Sequence, residues 1–197
     1  LSANTGGENI AVGTSAADAN TSGVRNIAVG TNAYGASDTE NDNLAIGHST
    51  MSSDTAGGTK NIALGNYALD ALTSGDSNIA MGYGALGANT TGSENVAIGD
   101  EALLTSTTAS ENTAVGFQAL KLNTSGTENV AMGRLANHKN TTANSNTAIG
   151  FQALRETTTG GDNTAIGAAA LYTNTTGTRN TGLGHDALYT NATVSDN

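Results

Sequence analysis

Apolar residues recur along this chain in short bursts, never in long runs. Each burst is a five-residue string that opens on Asn and closes on Gly, as in Asn146-Thr147-Ala148-Ile149-Gly150. Eleven copies start at Asn9, Asn26, Asn43, Asn61, Asn78, Asn95, Asn112, Asn129, Asn146, Asn163 and Asn180. Nine of the ten intervals are 17 residues, and the one after Asn43 is 18. A fixed period this short is the signature of a repeat architecture, in which each unit buries its apolar face only against its neighbours. Residues 1–197 therefore read as a single repeat array.

Numbering the Asn as position one, Asn and the Gly at position five occur in all eleven copies. Position three is Ala in ten, with Gly182 the exception. Position four is always Val, Ile, Leu or Met, and position two drifts from Ile10, Ile27 and Leu44 to Thr113, Thr147, Thr164 and Thr181. A β-branched run closed by Gly predicts a short strand. Alternate residues share a face, so positions two and four are expected to point together into the core, with position four the more faithful core residue. The small residues at three and five would then leave the opposite face open to close approach by another backbone.

A second apolar pair follows: Ala at position eight in ten copies and Leu at position nine in seven, from Leu69 to Leu188. The rest is Asn, Thr, Ser and Gly, as in Asn174-Thr175-Thr176-Gly177, which is turn chemistry. Each unit predicts a strand, a Gly turn, a second short extended segment and a polar corner. That is an all-β parallel β-solenoid with one 17-residue coil per repeat. Coils stacked at about 4.8 Å would make a rod on the order of 50 Å long. The Asn column should hydrogen-bond from rung to rung, as amide ladders do. The extra residue after Asn43 should bulge from a turn near Asp54 to Lys60, because a slip inside a strand would invert its faces.

Composition agrees with a thin core. The chain has 26 Gly, no Pro, Trp or Cys, and only five Tyr and two Phe. Without Cys there is no disulfide or thiolate metal site. A net charge of −10 argues against nucleic acid or an anionic membrane surface as partner. No apolar run approaches the roughly 20 residues of a membrane span. Leu1 opens with the repeat already under way, so a segment of a longer fibre is expected.

Candidate chemistry is sparse. His48 and His185 fall at position six and His138 at position ten, so neither a column nor a zinc cluster is expected. His185-Asp186 has no nucleophile elbow before it, and its two side chains are expected to face apart. Gly82-Tyr83-Gly84 and Gly182-Leu183-Gly184 lack the following helix that phosphate binding needs. Acidic residues at position seventeen (Asp42, Glu94, Glu111, Glu128, Asp162 and Asp196), interrupted by Arg25, Lys60 and Arg179, read as solubilising decoration. Adjacent Thr at positions thirteen and fourteen should diverge, which disfavours the flat Thr-x-Thr face of an ice binder. Asn-x-Ser/Thr sequons occur at Asn20, Asn89, Asn123, Asn140, Asn174 and Asn191, all at position twelve. As exposed corners these would form a glycan stripe in a host with the machinery. No catalytic residue, cofactor or metal is expected.

Asn95-Val96-Ala97-Ile98-Gly99, with Ala102 three residues on, resembles the head repeats of trimeric autotransporter adhesins. That resemblance implies a left-handed parallel β-roll built from three identical chains. The longer form at Asn146 to Leu154 is similar to repeats in bacteriophage tail fibres and large bacterial surface proteins. The expectation is a non-enzymatic fibre segment at a virion or cell surface, acting as a rigid rod for attachment. Its partners would be its own copies and a surface receptor or glycan. The alternative is a self-polymerising extracellular filament subunit that stacks end to end.

Overall fold

The computed structural model describes residues 4–36, 39–53 and 58–197. Its eleven strands run β1 Ile10–Val12, β2 Ile27–Val29, β3 Leu44–Ile46, β4 Ile62–Leu64, β5 Ile79–Met81, β6 Val96–Ile98, β7 Thr113–Val115, β8 Val130–Met132, β9 Thr147–Ile149, β10 Thr164–Ile166 and β11 Thr181–Leu183. All are three residues long and parallel, joined in chain order into one eleven-stranded sheet. The chain is a β-solenoid with one coil per repeat, as the period predicts. Coils are numbered 1 to 11 below with their strands. Pairing is in register at every step: Val96 lies opposite Thr113, Ala97 opposite Ala114 and Ile98 opposite Val115.

The 18-residue interval leaves that register intact, with Leu44 opposite Ile62 and Ala45 opposite Ala63. Ser53 still donates its backbone N–H to Asp70 O, and Thr59 donates to Asp76 Oδ1. The extra residue therefore falls within 54–57, inside the expected turn but outside the described residues.

No second strand is found in any coil among the described residues. The expected extended segment after the Gly is a succession of turns instead. Three residues per coil take left-handed backbone, at positions seven, nine and last, and all but Gly84 of coil 5 are non-glycine; in coil 6 they are Glu101 (φ 58°), Leu103 (φ 52°) and Glu111 (φ 62°). Each such residue costs about 1–2 kcal/mol relative to right-handed backbone. What offsets it is geometric: a reversed φ at Leu103 lets the adjacent Ala102 and Leu103 both face inward, which extended backbone forbids. Position five has a stricter requirement. Gly99 has φ 131°, and a β-carbon there would come within 2.6 Å of Gly116 O in the next coil.

The inner and outer faces are the reverse of the expectation. Ala97 is fully buried, whereas Ile98 is 38% exposed and Val96 half-buried. The same holds from coil 2 to coil 10, where every position-three Ala is buried. The reason is room. Leu at position nine crosses the lumen to the strand, so that a β-carbon on Gly182 would sit 3.2 Å from Leu171 Cγ. A methyl fits in that gap and a branched chain does not. The core is thus a column of Ala from positions three and eight and Leu from position nine: Ala97, Ala102 and Leu103 in coil 6, Ala148, Ala153 and Leu154 in coil 9.

The Asn ladder is present as expected. Asn95 donates its N–H and its Nδ2 to Asn78 Oδ1 at 3.1 and 3.0 Å, and Nδ2 also donates to Ala109 O at 2.8 Å. Its own Oδ1 accepts from the N–H and Nδ2 of Asn112 at 3.1 and 3.2 Å, so one side chain ties three coils together and none of its amide groups is left over. Asn197, one period beyond Asn180, joins the same ladder by donating to Asn180 Oδ1.

Candidate functional site

The sequons do not form an exposed corner. Asn20, Asn89, Asn123, Asn140 and Asn174 are buried, and Asn191 in the last coil is half-exposed. Asn89 Oδ1 accepts the Gly92 N–H at 3.0 Å while its Nδ2 donates to Gly92 O at 2.9 Å. Asn123 closes its turn in the same way through Gly126. Asn-Thr-Thr-Gly is therefore an inward-facing turn lock, because two turn groups need partners that water inside the coil does not supply. A group attached at Asn89 Nδ2 would break the bond to Gly92.

The other singled-out residues lie apart. His48 and His185 are exposed, and His138 is half-buried with Nδ1 3.1 Å from Gln118 O. Burial pushes the His138 imidazole below its ordinary range, and Arg155, Lys121 and Lys139 push it the same way. His185 and Asp186 were expected to face apart, but Nδ1 lies 2.9 Å from Asp186 Oδ2, since left-handed backbone at Asp186 turns the two together. The position-seventeen acids are all exposed, and two of them pair with arginines one coil away: Arg25 with Asp42 at 2.5 Å and Arg179 with Asp196 at 2.6 Å. Of the Thr pair, position thirteen ladders along the wall (Thr90 Oγ1 donates to Thr107 O at 2.9 Å) and position fourteen is exposed. Among the described residues no group of three or more His, Asp or Glu could hold a metal ion. Among the described residues no helix is long and apolar enough to cross a membrane.

Two surface features remain. The first follows from the reversed strand faces: a stripe of large apolar residues runs up the outer face of the sheet. Position four supplies Ile46, Met81, Ile98, Met132, Ile149 and Ile166, each at least 36% exposed. Position six widens it with Phe117 and Phe151, between which Arg134 lies 5.7 Å from each ring centroid. A stripe this continuous exceeds the scattered apolar exposure of an ordinary surface.

The second is a notch of about 650 Å³ in the wall at coil 5. Gly84 and Gly87 occupy positions seven and ten there, where other coils carry long side chains such as Gln118 and Lys121. Tyr67 and Asp70 border the gap from coil 4, Glu101 and Leu104 from coil 6, and Tyr83 from coil 5 itself. Tyr67 and Tyr83 meet edge to face, with centroids 5.6 Å apart. The Gly-x-Gly of residues 82–84 thus matters for the side chain it omits.

The chain matches no protein-family model, no curated protein and no solved structure. Its functional reading rests on geometry.

Proposed function

We propose that the chain is a structural, non-enzymatic rod segment of a fibre, of the tail-fibre or surface-adhesin kind, in which three parallel copies pack side by side as left-handed rolls. The observation that carries this is the outward apolar stripe. The core of most coils is already complete with Ala and Leu, yet position four remains aliphatic in every coil. Side chains that are surplus to the interior and repeated along the whole array suit a lateral contact running the length of the rod. Burying one such side chain contributes on the order of 1.5–3 kcal/mol, so even partial cover of eleven coils outweighs the cost of association. The exposed position-seventeen acids keep the assembled rod soluble and repel wrong contacts.

End-to-end stacking into a filament is the second reading, favoured by the ladder that Asn197 extends past β11. Sedimentation equilibrium separates the two. The fibre reading expects a species about three times the 19.5 kDa chain mass, with a melting temperature that depends on concentration. Ile98→Asp together with Ile149→Asp should dissociate it into folded monomers, because both positions face outward. A wild-type chain that stays monomeric at high concentration overturns the trimer, and an open-ended series of masses favours the filament.

A further inference from the structure

We propose that the coil 5 notch is a binding site for an organic cation of the alkylammonium or quaternary ammonium class, held by Tyr67, Tyr83 and Asp70. Three features of the notch lead there, none of which depends on the fibre reading. The gap is built by omission at a single place in the array. Position seven carries a side chain in left-handed backbone in every other coil, Tyr67 (φ 60°), Glu101 (φ 58°) and Gln118 (φ 54°) among them. Gly84, at φ 62°, keeps that backbone and leaves out the side chain, so the glycine is not there for its conformation. Gly87 omits a second side chain, and a β-carbon there would stand 3.1 Å from Gly84 O, 3.2 Å from Leu104 Cδ1 and 3.4 Å from Asp70 Oδ1, so its absence leaves these groups at the wall of the gap. The Asp70 carboxylate therefore borders the empty space directly.

The charges are unbalanced in one direction. Coils 4 and 5, residues 61–94, contain no Lys or Arg. Glu101 is already satisfied, accepting from Lys121 Nζ at 2.8 Å and Gln118 Nε2 at 2.7 Å. Asp70 has no cationic partner among the described residues and is half-buried; burial pushes its carboxyl above the ordinary carboxylate range. A carboxylate withdrawn from water without a counter-charge is costly, and a cation entering the notch relieves that cost. Two tyrosine rings beside it supply the electron-rich surface on which a poorly hydrated ammonium gains most. A neutral sugar would use the rings and the hydroxyls of Thr105 and Thr107, but it would leave the Asp70 charge unanswered.

The probe is choline chloride, with its neutral carbon isostere 3,3-dimethylbutan-1-ol and methyl glucoside as comparators, titrated into the isotopically labelled chain by NMR. Choline should shift the amides of Gly84 and Gly87 saturably, with affinity in the millimolar range, and the isostere should bind roughly tenfold more weakly or worse. Asp70→Asn should weaken choline by a similar factor. Gly84→Gln, which installs the side chain that coils 7 and 9 carry at this register, should abolish the shifts while the chain stays folded, its melting temperature lower by no more than the few degrees that a side chain in left-handed backbone costs. Equal binding of the isostere, preferential binding of the glucoside, or indifference to Asp70→Asn overturns the proposal. So do choline shifts scattered over the acidic surface, which would report the net charge of −10 rather than a site.

Discussion

Asn137 is the position where the repeat logic makes its sharpest energetic claim. It stands at position nine of coil 8, where its neighbours up and down the column are the fully buried Leu120 and Leu154. Asn137 is also fully buried, yet neither its Oδ1 nor its Nδ2 has a hydrogen-bond partner. Replacing it by Leu removes an unsatisfied buried amide, worth about 1–3 kcal/mol. It also restores an aliphatic contact worth about 1.5–3 kcal/mol. Against this stands backbone: Asn137 has φ 46°, a region Asn tolerates better than Leu, at a difference of about 1–2 kcal/mol. Leu120 at φ 50° and Leu154 at φ 51° show that the coil accommodates Leu there. The net expectation for Asn137→Leu is a stabilisation of about 2 kcal/mol. For a chain of this size that raises the melting temperature by roughly 4–8 °C. The mirror substitution Leu120→Asn should lower it by at least as much. Thermal melts by circular dichroism read both. An Asn137→Leu variant that melts at or below the wild type would refute the assignment of position nine as a continuous dry column.

Two further perturbations follow from the faces and from titration. Ala97→Val forces two extra methyls into the lumen and should destabilise by about 1–3 kcal/mol, whereas Thr113→Ile, facing outward on β7, should stay within about 0.5 kcal/mol in urea unfolding. The His138 imidazole is held low in the folded chain by burial, so the unfolded chain binds its proton more readily. Stability from this group is full above the unfolded pKa near 6.5 and is lost as pH falls from there through the lower folded value. His138→Gln should narrow the gap between melting temperatures at pH 7.5 and pH 5.5, and an unchanged gap would assign it elsewhere.

Much of this protein was legible in its residues. A 17-residue period sets one coil per repeat, and in-register stacking follows because identical units satisfy identical neighbours. The Asn ladder was legible for the same reason: a side chain with a donor and an acceptor, repeated at one register, meets its own copy. The notch was visible in principle too, as Gly84 and Gly87 interrupt columns of larger residues, but only stacking brings Asp70 and Glu101 to its rim.

What the sequence alone left undecided was which face of a three-residue strand is inside. Alternation says only that Ala97 and Ile98 point opposite ways, and the larger apolar residue is the natural choice for a core. Tertiary structure decided otherwise through the width of the lumen. A 17-residue circumference closed by left-handed turns brings the Leu103 wall so near the strand that only a methyl fits between them. The signal that could have pointed there is size rather than hydrophobicity: position three is held to Ala or Gly in every coil, while position two accepts Ile, Leu, Val or Thr. The same narrowness draws Asn89 and its equivalents inward, since the turn groups they bond face a space too small for water to serve them. Local pattern determined the fold and its register, and the distance between opposing walls determined what lies within it.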